Sequence, residues 1–409
     1  MTAPASTFRF ASAISDEAYT RPALEDVLEQ LQARFDGRAD VMMLFITPHH
    51  IEGLGAIHEA LTRAFDPRCE LGLTTEGVIG VGREIESAPG LSVLVGSMPG
   101  AELRSFALEP DDWDRMLADD AAAASELSLG GQPPQALMLM ADPFTTPVVR
   151  VLPAIPQWFP HRTPMLLGGV ASGTRTAGGN RLLCNGRIAR GGAVGLALGQ
   201  GVHVQPTVSQ GCRPIGSPVV ITKTMPEKRH IVMELGGRNA LGHIHEVVHS
   251  LSENDQALVQ ANGLLVGCVI DEYKRRFGRG DFLIRGIIGV DQDAGYIAIG
   301  DPDLRVGQTI QFQLRDAATA EQDFALMLEA QKLYDPVSDG RGGAILFSCN
   351  GRGRRLYDRP HVDAQLVHDA IGPAPLTGCF AAGEFGPISG RNCVHGHTAS
   401  LVVLRPPER

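Results

Sequence analysis

The sequence predicts a mixed α/β (α+β) fold of helix-covered sheets in two packed domains. Three observations predict it: a strand, helix, Gly-rich turn, strand unit that recurs three times, the continuous apolar strands within that unit, and a length of 409 residues. A single hydrophobic core stops growing near about 250–300 residues, so a chain of this length is expected to divide. Apolar runs without alternation belong to strands covered on both faces, which calls for helices over the sheets.

The first copy opens with Val41–Ile46, continues through a helix near 51–65, turns in the Gly-punctuated stretch 72–80 and closes with a strand at Leu91–Gly96. The second opens with Ala136–Met140, has a helix near 146–158, turns at 168–173 and closes over 192–199. The third opens with Ala344–Ser348, has a helix near 361–371, turns at 378–390 and closes with Thr398–Leu404. Residues 201–315 have a different texture, with short alternating strands at 282–285 and 296–299 and helices near 240–252 and 318–333. Leu129–Pro134, rich in Gly, Gln and Pro, reads as a flexible join and divides the chain into 1–132 and 133–409.

Composition narrows the functions. A formal charge of -10 opposes any broad phosphate-backbone footprint, so neither nucleic acid nor an anionic membrane is expected as a partner. No uncharged apolar segment reaches the roughly 20 residues that cross a bilayer, and Met1–Arg9 lacks the basic-then-apolar start of an export signal. Seven cysteines without a CxxC pair fit neither a disulfide framework nor a cysteine zinc cluster. A cytoplasmic location is expected.

Several motifs could carry chemistry. His245-Glu246-Val247-Val248-His249 spells HExxH, the string in which two histidines bind zinc and the glutamate acts as base. On a helix, however, Ala240, Leu241, Ile244, Val247, Val248 and Leu251 form the apolar stripe and leave the two histidines at or beyond its edge. The third ligand within reach, Glu272, stands in the charged stretch Asp271–Arg276. Asp291, Asp293 and Gly295 open like a calcium loop, but Tyr296 occupies the position that needs glycine, and a turn between strands accounts for them.

Cys349 reads either as a nucleophile beside a positive charge or as a small buried hydrophobe. In Asn350-Gly351-Arg352-Gly353 the glycines expose backbone N–H groups and Arg352 offers a forked donor, a pairing suited to carboxylate or phosphate; a plain surface turn would look the same. Glu384, following Gly383, is either a ligand contact or a turn carboxylate. His395 and His397 alternate as on a strand, on one face, as metal or haem ligands or as hydrogen-bonded core histidines.

Phe347–Gly353 (FSCNGRG), Gly378–Pro387 (GCFAAGEFGP) and His395–Ser400 (HGHTAS) resemble the carboxy-terminal part of FIST proteins. Thr74–Gly77 (TTEG) looks like the family's amino-terminal turn, while Pro143–Thr145, Gly168–Gly173, Ser209–Gly216 and Arg315-Asp316 are similar to its middle. The likeness spans nearly the whole chain in the family's order. It implies a FIST_N plus FIST_C module: a sensory, non-enzymatic domain for small ligands in intracellular signal transduction, with amino acids the usual suggestion and no catalytic residues or metal.

Relatives often carry kinases or other output segments. Nothing outside the module is long enough for one here, so a separate signalling partner protein is expected. Some relatives are haem proteins that respond to nitric oxide. That gives an alternative in which His395 holds haem non-covalently, since no CxxCH is present. A third reading, a zinc hydrolase, rests on HExxH alone. The leading expectation places a small polar ligand where the Gly-rich turns converge. Its carboxylate lies on Arg352 and the backbone N–H groups around Asn350 and Gly351, its amino group lies on Glu384 beside Gly383, and His395 is nearby.

Overall fold

The chain is described by a computed structural model covering residues 7–278, 280–301, 303–332 and 340–407. The three apolar runs form strands buried along their whole length: Val41–Ile46, Ala136–Ala141 and Gly343–Cys349. Each is the core strand of a module built to one plan. A crossover helix follows it (Leu54–Phe65, Val148–Trp158 or Val362–Ile371). The chain then returns as a parallel partner: Cys69–Thr74, Met165–Val170 or Leu376–Ala381. A closing strand pairs antiparallel on the other side: Leu91–Ser97, Ala193–Leu198 or Ala399–Arg405. An outer strand (Arg9–Ser15, Leu103–Leu108 or His203–Ser209) completes each sheet beyond the closing strand.

The two faces of each core strand explain the lack of alternation. Met43 and Phe45, Met138 and Met140, and Ile345 and Phe347 all belong to one central apolar cluster. The opposite faces pack beneath each module's own helix: Leu44 with Ile57 and Leu61, Leu139 with Ile155 and Trp158, and Leu346 with Val367 and Ile371. Both faces are desolvated, so no position in these strands tolerates a charge.

The Gly-rich stretches depart from the sequence reading. They read as turns in the sequence, but each forms part of the buried parallel strand, and a β-hairpin follows, starting within the stretch in the first and third modules and beyond it, at 182–189, in the second. Glycine is needed there for close approach: Gly168 has φ +119°, and a Cβ on it would overlap the Leu139 carbonyl. The three hairpins are exchanged. The first module's, Gly77–Gly80 with Arg83–Glu86, adds to the third sheet through Leu376–Ala381. The third module's, Glu384–Ile388 with Arg391–His395, adds to the second sheet through Met165–Val170. The second module's, Leu182–Cys184 with Arg187–Ala189, adds to the first sheet through Cys69–Thr74.

Polar side chains hold the hairpins in place. Asn185 Oδ1 accepts from Glu70 N at 2.7 Å, and Asn392 Oδ1 accepts from Leu166 N at 2.8 Å. Glu70 and Leu166 are the second residues of their strands, so the two asparagines serve equivalent backbone positions, Asn185 from the hairpin turn and Asn392 from the outer hairpin strand.

The chain forms two compact units, 1–208 with 324–409, and 209–323. The expected division at 132/133 falls inside the first unit, between the helix Asp120–Leu127 and the strand Ala136–Ala141. Leu129–Pro134 is not a flexible join, because Leu129 and Gln132 exchange backbone hydrogen bonds at 2.9 Å and Leu129 packs on the second module's core. The second unit corresponds to the stretch of different texture. Six of its strands close into a barrel, since Cys212–Met225 pairs with both Thr309–Arg315 and Lys228–Leu235.

Helix Ala240–His249 buries Ala240, Leu241, Ile244 and Val247 and leaves His245 and His249 exposed, as its periodicity indicated. The helix expected near 318–333 spans Ala317–Lys332, Leu333 lying outside the described residues.

Candidate functional site

In the first unit the parallel strands end close to one another, and Ser172 ties them together. Its Oγ donates to Phe380 O at 2.5 Å and accepts from Glu76 N at 2.8 Å, while Val170 N donates to Gly383 O at 2.8 Å. The residues that leave the three core strands differ in their partners. Thr47 Oγ1 accepts from Gly90 N at 2.9 Å. Buried Asp142 accepts from Thr145 Oγ1 at 2.8 Å, Phe144 N at 3.0 Å and Asn180 Nδ2 at 3.1 Å. The Asn350 carboxamide meets only the Cys349 thiol, at 3.8 Å, among the described residues. Among the described residues, the third exit alone leaves a polar side chain available.

Arg352, expected to hold the ligand's carboxylate, is turned inward and fully buried. Its Nε and Nη2 donate to the two Asp363 oxygens at 2.8 and 2.9 Å, Nη2 also donates to Tyr357 OH at 2.5 Å, and Nη1 reaches His397 O at 3.3 Å. Ser348 Oγ and Tyr357 OH donate to the same carboxylate at 2.7 and 2.8 Å. The guanidinium lies over the Phe324 and Tyr357 rings. Burial works to raise the Asp363 pKa, but the Arg352 charge and these hydrogen bonds hold it below the ordinary value. Every donor of Arg352 is engaged or enclosed, so this arginine fixes the shape of the Asn350–Gly353 turn and has no donor to spare for a ligand.

Just outside this ion pair lies an open cleft of about 200 Å³. Asn350, Arg354, Arg355 and Phe380 of the third module form one wall, and the start and end of the exchanged hairpin, Glu76 and Glu86, form the other. Arg355 Nη1 donates to Glu76 Oε2 at 3.2 Å and to Asn350 O at 2.7 Å, and its Nη2 pairs with Glu76 Oε1. Glu86 accepts from Arg354 N at 3.0 Å, and its pKa is raised, burial outweighing that hydrogen bond. The Arg354 guanidinium is exposed and makes no hydrogen bond or salt bridge to a described residue. Gly353 has φ +57°, and a Cβ there would overlap the Glu86 carboxylate. The cleft therefore presents an unpaired cation and a half-buried acid, side by side with a matched ion pair.

Of the other expected contacts, Gly351 lies in the turn, half-buried, and Gly383 serves a backbone bond to Val170. Glu384 is fully buried. Thr398 Oγ1 donates to its Oε2 at 2.7 Å, while Oε1 lacks a conventional partner. Burial pushes Glu384 up to about 8, the Thr398 hydrogen bonds opposing. Burial likewise pushes the Cys349 thiol up to about 12, the reverse of what a nucleophile requires.

His395 is buried, with Nε2 hydrogen-bonded to Gly386 O at 2.9 Å. His397 lies beyond the strand end at φ +68°, so the two histidines do not alternate on one strand face. In the HExxH helix Glu246 is paired with Arg238 at 2.5 Å, and Glu272 accepts from Thr309 N at 2.7 Å. No group of three or more His, Cys, Asp or Glu among the described residues can hold a metal ion. Asp291 accepts from Asp293 N and Ala294 N, as a turn does. Arg354, Arg355, Glu76 and Glu86 were not singled out from sequence, although Glu76 sits in the TTEG motif and both arginines adjoin the NGRG turn.

Residues 40–238 match the FIST N domain and residues 240–387 match the FIST C domain. The chain belongs to the FIST family. FIST domains are sensory domains of signal transduction that bind small ligands. This FIST chain is similar to the uncharacterized protein Rv0628c of Mycobacterium tuberculosis strain H37Rv, 34% identical over 386 residues, covering 94% of this chain and 96% of the relative. It is also similar to the uncharacterized protein Mb0898c of Mycobacterium bovis, 35% identical over 386 residues, covering 94% and 95%. The family's two parts meet at 238/240, inside the barrel unit. Among the described residues of this FIST protein, no helix is long and apolar enough to cross a membrane.

Proposed function

We propose that this FIST protein is a cytoplasmic, non-enzymatic sensor whose ligand is a small zwitterion of the amino-acid type, bound in the cleft beside Asn350. The carboxylate lies on Arg354 and Arg355, the ammonium group on Glu86, and the side chain against Phe380. Asn350 and the Gly351 backbone contact the ligand. Arg352, Glu384, Gly383 and His395 shape the site from beneath. A partner protein reads the occupied form.

The observation that carries this reading is the pairing of an unpartnered Arg354 guanidinium with a half-buried Glu86 across an open space of about 200 Å³. Opposite charges lining one partly desolvated recess favour a ligand that carries both signs. Small pockets of this kind need only a few placed polar groups to orient their ligand. Cys349, with its raised thiol, and the exposed HExxH histidines supply no reactive group, in keeping with the sensory role of the family.

Native mass spectrometry of freshly purified protein, followed by a thermal-shift panel of amino acids, tests the proposal. One or more amino acids are expected to raise the Tm of wild type and to leave Glu86→Gln unchanged. Equal shifts in wild type and Glu86→Gln would place the ligand elsewhere.

A further inference from the structure

The hairpin that supplies the Glu76–Glu86 wall crosses from the first module to the third and is fastened there by a reciprocal pair. Glu84 Oε2 accepts from His361 N at 3.0 Å, Glu84 Oε1 accepts from Ala364 N at 2.9 Å, and Glu84 N donates to His361 Nδ1 at 3.0 Å. A side chain of one module thus caps the crossover helix of another, and the capping histidine returns the bond. Glu84 is buried, and it lies two residues before Glu86. His361 sits at φ +67°, a left-handed conformation that this pairing helps hold.

We infer that Glu84 and His361 form a proton-gated latch that positions the hairpin wall of the cleft, so that ligand affinity depends on pH through two residues that do not touch the ligand. The inference rests on the reading of the cleft as the ligand site. Its chemistry follows from what each group must do. His361 Nδ1 accepts the Glu84 N–H and must therefore be unprotonated, so gaining a proton there breaks one of the three bonds. Glu84 faces the Asp363 carboxylate of the crossover helix and Glu86 of its own hairpin, so losing its proton sets a second buried negative charge beside Asp363. Arg352, Tyr357 and Ser348 already occupy Asp363. The cations near the latch are Arg83, which pairs with Asp16, and Arg354; both act on His361.

The direction of each effect can be fixed. Burial, then Asp363, pushes Glu84 from 4.5 up to about 8, against the N–H bonds from Ala364 and His361. A raised carboxyl favours the docked hairpin while protonated, so its contribution is complete below 4.5 and is lost as pH rises through about 8. Burial, then Arg83 and Arg354, lowers His361 from 6.5. A lowered histidine favours the docked hairpin while neutral, so its contribution is present above 6.5 and is lost as pH falls through the depressed value. Just below 6.5 the two trends oppose each other; between 6.5 and about 8 only Glu84 acts.

Two measurements on the intact chain test this. Amide exchange of the ligand-free protein reads the hairpin directly, as protection of Val78, Ile79 and Ile85 corrected for intrinsic rate. Wild-type protection is expected to fall by up to about tenfold per pH unit between 6.5 and about 8, the slope that one linked proton gives, and to fall less steeply just below 6.5, where His361 opposes Glu84. Glu84→Gln should remove the fall and weaken protection below 6.5 instead. His361→Asn, which keeps an acceptor and tolerates positive φ, should let protection keep rising as pH drops. Calorimetric affinity for the amino acid that most raises the Tm should follow the same three profiles. Exchange profiles that are parallel in all three proteins would overturn the latch whether or not a ligand binds. Variant-dependent exchange with no amino acid binding would leave the latch standing and defeat the functional reading.

Discussion

Arg352 and Arg355 stand one helical turn apart in the chain and in opposite surroundings. The Arg352–Asp363 pair is wholly buried, 0% exposed on both sides, whereas Arg355–Glu76 is 49% and 29% exposed. The buried pair sits in a low dielectric with every lone pair engaged, so it is costly to break and useless to a ligand. The open pair is screened by water, contributes little to stability and can be exchanged for a ligand's charges at small cost. The contrast separates what shapes the third module's strand ends from what is available for recognition there.

Five substitutions sharpen this comparison. The largest effect is expected from Arg352→Ala, which strands Asp363 in the interior; urea unfolding should report a loss of about 3–5 kcal/mol. A change below 1 kcal/mol would mean that Asp363 takes up a proton without penalty and that the pair is not structural. Asn392→Ala removes the hairpin bond to Leu166 N and should destabilise by about 1–3 kcal/mol, the range for leaving a buried donor unmet. Asn185→Ala removes the bond to the equivalent strand position and adds the strain of alanine at φ +45°, so it should destabilise at least as much. Gly353→Ala should cost about 1–3 kcal/mol through its positive φ. It should also weaken ligand binding, since the new methyl displaces Glu86. The smallest effect on stability, within about 0.5 kcal/mol, is expected for Arg355→Ala, in line with other surface changes. That variant should nonetheless lose at least tenfold in calorimetric affinity; retained affinity would move the ligand off this wall.

Much of the fold is legible in the chain. Val41–Ile46, Ala136–Ala141 and Gly343–Cys349 announce themselves as strands because both of their faces are apolar, and the helices after them carry a one-sided stripe. The hairpin exchange is not legible. Nothing local to Gly77–Gly80 says that its partner is Leu376–Ala381, some three hundred residues away, in place of its own module's sheet. The Gly-rich stretches looked like turns because glycine disfavours strands in general, while here it admits neighbouring backbone into crowded sheets. The barrel's texture was visible, but the two-residue alternation of its strands does not say that they close on themselves as a separate unit.

The site was half legible. NGRG marks the turn beside the cleft and Asn350 lines it, yet three arginines within four positions look alike in sequence. Which one turns inward is decided by Asp363, which reads as an ordinary acidic residue in the first turn of a helix. Glu86 and Glu76 reach the cleft only through the exchanged hairpin, so no sequence spacing connects them to Arg354. Glu384 carried the chemistry of a ligand contact but is enclosed beside Thr398.

The most direct test is a crystal structure of the protein grown with the amino acid that most raises its Tm. The account predicts density for that molecule in the cleft, its carboxylate on Arg354 and Arg355 and its ammonium group on Glu86, with the Arg352–Asp363 pair unmoved. Density at any other place, or a ligand carboxylate seated on Arg352 with Asp363 released, would contradict it.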